Sequence, residues 1–220
     1  MCVQAILTSS YGGTPLKELI VKYKITSERP LSYSAINLFS DPQWGSPEKW
    51  YDSYILGKRQ TSREMTFGSM IDKRFQNDPT FLPEIQRYSV LQHEMKVMFA
   101  DIPLIGYSDG WEPDTARLMD LKTGKAPWTK KRANDTTQLT MYALMLYIQD
   151  KVKPEDISFT IVHLPTKENG DFSIGFRDDP VVPQYFHTKR IMEDLLLFGA
   201  HIKKTYAQMQ EYVASRDNVR

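Results

Sequence analysis

The chain has 220 residues, of which 41% are hydrophobic and 12% aromatic. This length predicts one domain, and this composition supplies a packed core and excludes a disordered chain. The formal net charge is +1, which excludes a strong overall field toward nucleic acid or membrane, so any anion-binding surface must be local.

The cysteine content excludes several kinds of structural and metal site. The single cysteine, Cys2, excludes a disulfide framework, a four-cysteine zinc site and a cysteine-held iron–sulfur cluster within this chain. The sequence starts without the basic and apolar regions of a signal peptide, and no stretch reaches the roughly 20 apolar residues of a membrane span. We therefore expect a soluble, cytoplasmic protein with no membrane partner.

Helices are predicted first along the chain. Residues 15–24 have the pattern of a short helix. A second helix is expected to be capped by Ser32 or Ser34 and to run through Phe39, because Pro42 and Gly45 would stop it. Residues 66–76 predict another helix. The aromatic residues of this part suit a packed helical cap: Tyr33, Phe39, Trp44, Trp50, Tyr51 and Tyr54.

Strands dominate from Tyr88 onward. Residues 88–100 alternate between apolar and polar side chains, and residues 102–112 and 116–124 also have strand character. Residues 110–114 are expected to turn the chain between the last two. Three further elements are expected: a helix over 133–150 capped by Asn134 or Asp135, an apolar strand over 156–165, and a helical region from 183 to about 214 that is interrupted at Gly199. This order of elements predicts an α/β or α+β sandwich.

Two acids and a lysine lie on the predicted strands. Strand side chains alternate, so Asp120 and Lys122 share one face and Leu121 takes the other. A carboxylate that loses water must be paired, either by this lysine or by a metal ion. Asp109, eleven positions upstream, supplies a second carboxylate. The plainer alternatives are an exposed ion pair for Asp120 and Lys122 and a turn role for Asp109 before Gly110.

Carboxylates in this setting suit Mg²⁺ or Mn²⁺, which take hard oxygen ligands together with waters and substrate phosphate. A neighbouring lysine can orient or deprotonate a water, or can stabilise the charge that builds on phosphate oxygens. These are the parts that phosphodiester hydrolysis requires.

The chain contains, in order, Gly106 and Asp109, then Asp120-Leu121-Lys122-Thr123-Gly124, then Gln138 and Tyr142. This ordered set resembles the PD-(D/E)XK nuclease superfamily, in particular its RecB-type exonuclease branch. The resemblance covers residues 31–147. It implies a restriction-endonuclease-like mixed central β-sheet flanked by helices. It also implies a single domain, with a helical N-terminal cap segment over 1–65, a catalytic core over 66–165 and a C-terminal helical region over 166–220.

The resemblance also assigns roles to residues. Asp109, Asp120 and the Leu121 carbonyl would bind the metal, Lys122 would be the catalytic lysine, and Gln138 would line the active site. Tyr142 would pack or contact DNA. Glu94, one strand before Asp109, is a candidate helper, with an ordinary strand-face acid as its alternative.

The chain departs from the branch at two places. Many members carry histidine on the preceding helix, where this chain has Asp72 in "GSMID". Asp72 can still bind a hard metal, and an exposed helix position is the alternative. Members with an iron–sulfur cluster carry cysteines, where this chain has Asp41-Pro42. We therefore expect Mg²⁺ or Mn²⁺ and no iron–sulfur cluster.

A basic segment follows the Asp-x-Lys strand, with Lys125, Lys130, Lys131 and Arg132 around Trp128. Basic side chains with an interleaved aromatic can hold phosphates and stack a base, and a solvated loop is the alternative.

The expected function is a metal-dependent DNA nuclease. An exonuclease acting on DNA ends or single strands in recombination, repair or phage DNA processing is the leading hypothesis. A DNA endonuclease and a catalytically inactive DNA-binding module are the alternatives. DNA is the expected partner, while a homo-oligomer and a recombination partner protein stay open. A stand-alone nuclease of this size suits a phage or mobile element by analogy alone.

Overall fold

The computed structural model describes residues 30–58, 61–83 and 88–217. The helix predicted over 15–24 and Cys2 lie outside these residues. The described strands are β1 (Leu31–Ser32), β2 (Val90–Phe99), β3 (Ile102–Glu112), β4 (Arg117–Gly124), β5 (Ser158–Glu168), β6 (Ile174–Phe176) and β7 (Gln184–Thr188). The α-helices are α1 (Tyr33–Ser40), α2 (Pro47–Trp50, continued by a π-helical turn over Tyr51–Ile55), α3 (Arg63–Asn77), α4 (Lys130–Asp135), α5 (Thr137–Asp150) and α6 (Met192–Asp217).

The seven strands form one mixed sheet. The hairpin of β2 and β3 is antiparallel, and β3 also pairs antiparallel with β4. The β4–β5 pair is parallel, with α4 and α5 in the crossover between the two strands. Short strands complete the edges: β1 runs parallel to β3, and β6 and β7 run antiparallel to β5. The prediction of a mixed sheet flanked by helices is confirmed.

Helices cover both faces of the sheet. The larger core joins one face to α1, α2, α5 and α6 through side chains that include Trp50, Leu104, Leu118, Met145 and Ile202. The smaller core lies on the opposite face, where Ile71 and Phe75 of α3 pack on Met119 and Leu121 of β4. The middle of strand β4, from Leu118 to Leu121, is therefore buried on both sides of the sheet.

Serine caps mark the N-termini of two helices. Helix α1 begins after Ser32, whose hydroxyl accepts a hydrogen bond from the Ala35 amide, and it ends at Ser40. Helix α3 is capped in the same way by Ser62, whose hydroxyl accepts from the Met65 amide. Both caps satisfy amides that the first helical turn leaves free. One predicted cap was wrong: Asn134 and Asp135 belong to α4, and Thr136 is the cap residue of α5.

Two further expectations are corrected. Residues 110–112 belong to β3, and the chain turns later, at Pro113–Thr115, with Ala116 in the left-handed region at φ 46°. The region after residue 183 is not helical throughout, because Gln184–Thr188 pairs with β5. Helix α6 then runs without interruption through Gly199. A side chain at Gly199 would come within 2.8 Å of the Phe99 ring, so this glycine allows close packing.

No helix among the described residues combines the length and the apolar character needed to cross a membrane.

Candidate active site

The candidate site lies where β3 and β4 separate. The two strands pair at Glu112–Arg117, Trp111–Leu118 and Gly110–Met119, and their pairing stops there. Strand β4 continues beside β5 as far as Gly124, while β3 meets β1 only at Leu104 and Ile105. In the described part of the chain, the edge of β3 over residues 106–109 therefore has no strand beside it. We call this opening the fork.

Asp109 bridges the fork from β3 to β4. Its Oδ2 accepts a hydrogen bond of 2.6 Å from the Leu121 amide, which takes the place of a strand-to-strand bond. The N–H and C=O of one strand residue point to the same edge. The Leu121 carbonyl is therefore directed toward the fork as well, on the side of the Asp109 carboxylate.

Asp120 and Lys122 pair with each other, as their shared strand face predicted. Lys122 Nζ lies 2.7 Å from Asp120 Oδ2 and donates a hydrogen bond of 2.8 Å to Gln138 Oε1. Gln138 Nε2 lies 3.2 Å from Asp120 Oδ1, to which it donates. The side chain of Asp120 is 2% exposed and that of Lys122 is 29% exposed, so the lysine reaches the opening while the carboxylate lies beneath it.

Helix α5 holds Gln138 in place through Tyr142, one turn later. Gln138 Nε2 lies 2.7 Å from the Tyr142 hydroxyl, which in turn donates to the Tyr107 carbonyl at 2.7 Å. Gly106 permits this contact, because a Cβ at that position would lie 3.0 Å from the Tyr142 ring. The glycine and the tyrosine of the motif therefore meet in space.

Charges concentrate at the fork. Burial, and then the nearby Asp120 carboxylate, raise the pKa of Asp109 to about 7. Burial acts to lower the pKa of Lys122, but Asp120, Asp109 and Asp72 outweigh it and raise that pKa above its usual value. Burial raises the pKa of the half-buried Asp72, and the Asp120 charge adds to this effect. Lys122 is therefore a cation at neutral pH, which favours charge stabilisation over proton abstraction.

The donor set fits a hard divalent cation. Asp120 Oδ2 is buried and lies at ion-pair distance from Lys122, yet it accepts no well-aligned hydrogen bond. Two mutually repelling carboxylates and a carbonyl directed to the same opening are oxygen ligands that suit Mg²⁺ or Mn²⁺. Among the described residues, no three side chains of Asp, Glu, His or Cys are grouped closely enough to hold a metal by themselves. Main-chain and non-protein oxygens would have to complete the set, as is usual for Mg²⁺.

The basic segment after β4 is largely engaged with the protein. Lys125 pairs with Glu168 at 2.7 Å, and Lys130 donates to the His187 carbonyl. Lys131 pairs with Asp135 on the surface of α4. Trp128 is 9% exposed, and the Arg132 guanidinium lies 4.2 Å from its ring centroid. Tyr142 is 4% exposed. DNA binding by these side chains stays a prediction, and the two buried rings present little surface for it.

Sequence reasoning missed one residue of the site. Gln92 of β2 lies opposite Asp109 and donates from Nε2 to Asp109 Oδ1 at 2.7 Å. No sequence signal distinguished it from other polar strand residues. Glu94 lies two residues further along β2, where it pairs with Lys96 at 2.6 Å and accepts from the Tyr107 hydroxyl at 2.7 Å.

Several solved structures align with this chain. A candidate exonuclease from Eubacterium rectale aligns with a TM-score of 0.55 at 12% identity, over 97% of this chain and 88% of that one. An alkaline exonuclease from Laribacter hongkongensis aligns at 0.48 and 11% identity, over 93% and 100% of the two chains. A phage-related exonuclease from Haemophilus somnus aligns at 0.47 and 13%, over 76% and 78%. No protein-family profile and no curated protein matches the sequence. The alignment with the E. rectale protein, whose TM-score is 0.55, establishes the shared fold.

Proposed function

We propose that the chain is a metal-dependent deoxyribonuclease of the PD-(D/E)XK type, acting as an exonuclease on linear DNA. The observation that carries the proposal is the juxtaposition at the fork. Asp109 and Asp120 lie beside a protonated Lys122, and Gln138 holds both Asp120 and Lys122.

The residues of the fork have separate roles in this proposal. Asp109, Asp120 and the Leu121 carbonyl would hold Mg²⁺ or Mn²⁺, with Asp72 as a further candidate ligand. The bound metal would polarise the phosphate and acidify a water. Lys122 would place its positive charge beside the phosphate oxygens as negative charge develops there. Gln138 would fix the lysine, because its amide oxygen accepts one of the three ammonium hydrogens.

The overall reaction is hydrolysis. The oxygen of a water forms a bond to phosphorus, the phosphorus–oxygen bond to the leaving nucleotide breaks, and the departing oxygen takes up a proton. The exonuclease mode is supported by the shared fold with the E. rectale protein, which is described as a candidate exonuclease, and by the sequence resemblance. Recombination, repair or phage DNA processing is the proposed setting.

The test is a cleavage assay on end-labelled single-stranded and duplex DNA, with a closed circle beside them. Wild type is compared in Mg²⁺, Mn²⁺ and EDTA with Lys122→Ala and Asp120→Ala, and with Lys153→Ala as a control for an exposed lysine. We expect metal-dependent loss of linear DNA only, abolished by the first two substitutions while circular dichroism shows the native fold.

The same assay separates the alternatives. Cleavage of the closed circle would replace the exonuclease by an endonuclease. Binding of DNA without cleavage in either metal would indicate an inactive DNA-binding module, in which Asp72 in place of the histidine of many relatives is the informative difference. Full activity of Lys122→Ala would remove the proposed mechanism.

A further inference from the structure

The side-chain alternation of β2 and β3 breaks beside the candidate site. In β2, Val90 packs against the larger core, to which Met95 and Val97 also belong, although five positions separate Val90 from Met95. In β3, Leu104 and Trp111 also share that core at a separation of seven. Strict alternation would place each of these pairs on opposite faces. Both strands therefore change face between these positions, over the segment that holds Gln92 and Asp109.

The backbone of Gln92 accounts for the change in β2. Its φ is 51°, in the left-handed region that glycine and asparagine tolerate better than other residues. The neighbouring pairs Leu91–Gly110 and His93–Ser108 keep one continuous register, so no residue is inserted. The conformation is held within a ten-residue strand rather than at a free turn. Backbone strain of this kind persists only where the surroundings enforce it, and it is concentrated at functional sites.

The side chain of Gln92 supplies the reason for this arrangement. Its Nε2 donates to Asp109 Oδ1 at 2.7 Å, while the Leu121 amide donates to Oδ2 at 2.6 Å. One neutral donor therefore holds each oxygen of the carboxylate, and neither donor brings a competing charge. Partners of this kind fix the orientation of a metal-binding carboxylate and sustain its affinity.

We propose that Gln92 is a positioning residue of the active site: its left-handed backbone is kept under strain so that its amide can fix the Asp109 carboxylate for a divalent cation. This inference rests on the proposed function, because it concerns the same carboxylate. It predicts that relief of the backbone strain at this position raises stability without restoring function.

Two substitutions separate the amide from the backbone. Gln92→Met keeps a long unbranched side chain and the left-handed strain but removes the amide. Gln92→Gly removes the amide and the strain together. Ala100→Gly is the matched control, because Ala100 also has a left-handed φ, of 47°, in the exposed β2–β3 turn. The measurements are the melting temperature in EDTA, the Mn²⁺ dissociation constant by calorimetry, and kcat and KM for linear DNA.

We expect both Gln92 variants to bind Mn²⁺ about 10-fold or more weakly, with kcat lowered and KM for DNA unchanged. Gln92→Gly should melt about 2–4 °C above Gln92→Met, because it relieves the strain. Ala100→Gly should melt above wild type and keep wild-type Mn²⁺ affinity and kcat.

Each result decides the inference. Wild-type Mn²⁺ affinity in both Gln92 variants would overturn the positioning role while leaving the nuclease proposal standing. Equal melting temperatures of Gln92→Gly and Gln92→Met would overturn the strain. A wild-type protein that neither binds Mn²⁺ nor cleaves DNA would overturn the proposed function and this inference with it.

Discussion

Asp109 should make the protein less stable as the pH rises toward neutrality. Burial and the neighbouring Asp120 raise its pKa from 3.8 to about 7. The unfolded chain releases the proton near pH 4, while the folded chain retains it until about pH 7. Over that interval the unfolded state binds fewer protons, so the free energy of unfolding falls with rising pH and levels off above pH 7.

The size of this loss follows from the shift. A change of about three pKa units at 1.36 kcal/mol each corresponds to about 4 kcal/mol. That is a large part of the 5–15 kcal/mol by which single domains are typically stable. Asp109→Asn removes the charge and keeps an oxygen that can accept from the Leu121 amide. We therefore expect this variant to gain up to about 4 kcal/mol on wild type between pH 4 and pH 8.

The assay is urea denaturation of both proteins in EDTA at pH 4, 5, 6, 7 and 8. The quantity of interest is the difference between the unfolding free energies of the two proteins and its change with pH. The other carboxyl groups are the same in both proteins, so their contributions to the pH dependence cancel in this difference. A difference that stays constant from pH 4 to pH 8 would refute the argument, since it would mean that Asp109 ionises as freely in the folded protein as in the unfolded chain.

The other predictions concern the same site. Mg²⁺ should raise the melting temperature more at pH 8 than at pH 6, because Asp109 must lose its proton to bind a cation, and Asp109→Asn should abolish that difference. Gly106→Ala should cost about 1–3 kcal/mol in urea denaturation and lower kcat, because the methyl group would push the Tyr142 ring away, whereas Gly170→Ala, with no atom within 4 Å of the new methyl group, should change neither. Tyr142→Phe should cost about 1–2 kcal/mol, because Gln138 and the Tyr107 carbonyl lose their shared partner. Its kcat should fall while its Mg²⁺ requirement stays the same, and an unchanged kcat would mean that Gln138 needs no support.

The sequence predicted those helices and strands whose formation depends mainly on residues close together in the chain. The strand predicted over 102–112 is β3 with the same bounds, since its strand-like composition and the proline that follows it act over short range. The helix that carries Gln138 and Tyr142 followed from its apolar stripe. Strand β7 was missed, because Gln184–Thr188 is a strand through its pairing with β5, whose partner residues lie more than twenty positions earlier. Its aromatic residues suit a helix as well as a strand when read alone.

The candidate site also combines features that the sequence predicted with features that it did not. The pairing of Asp120 with Lys122 followed from their spacing on one strand. The position of Asp109 did not, because it depends on where β3 and β4 stop pairing, and spacing alone left a turn as the alternative. Gln92 was missed altogether: its role depends on a left-handed φ inside a strand, and glutamine gives no sign of that conformation. Trp128 shows what the sequence could not give: its place among basic residues predicted base stacking, whereas the burial of its ring, which is 9% exposed, depends on tertiary packing. Contact of Trp128 with DNA stays a prediction.

The bond from the Leu121 amide to Asp109 gives the protein a spectroscopic reporter of its own. An amide proton held by a carboxylate at 2.6 Å resonates at a frequency that depends on the charge of that carboxylate. One cross-peak in a nitrogen–proton correlation spectrum would therefore move as Asp109 titrates and would move again when a cation binds. The ionisation and the metal occupancy of the fork can be followed in this way without DNA and without turnover.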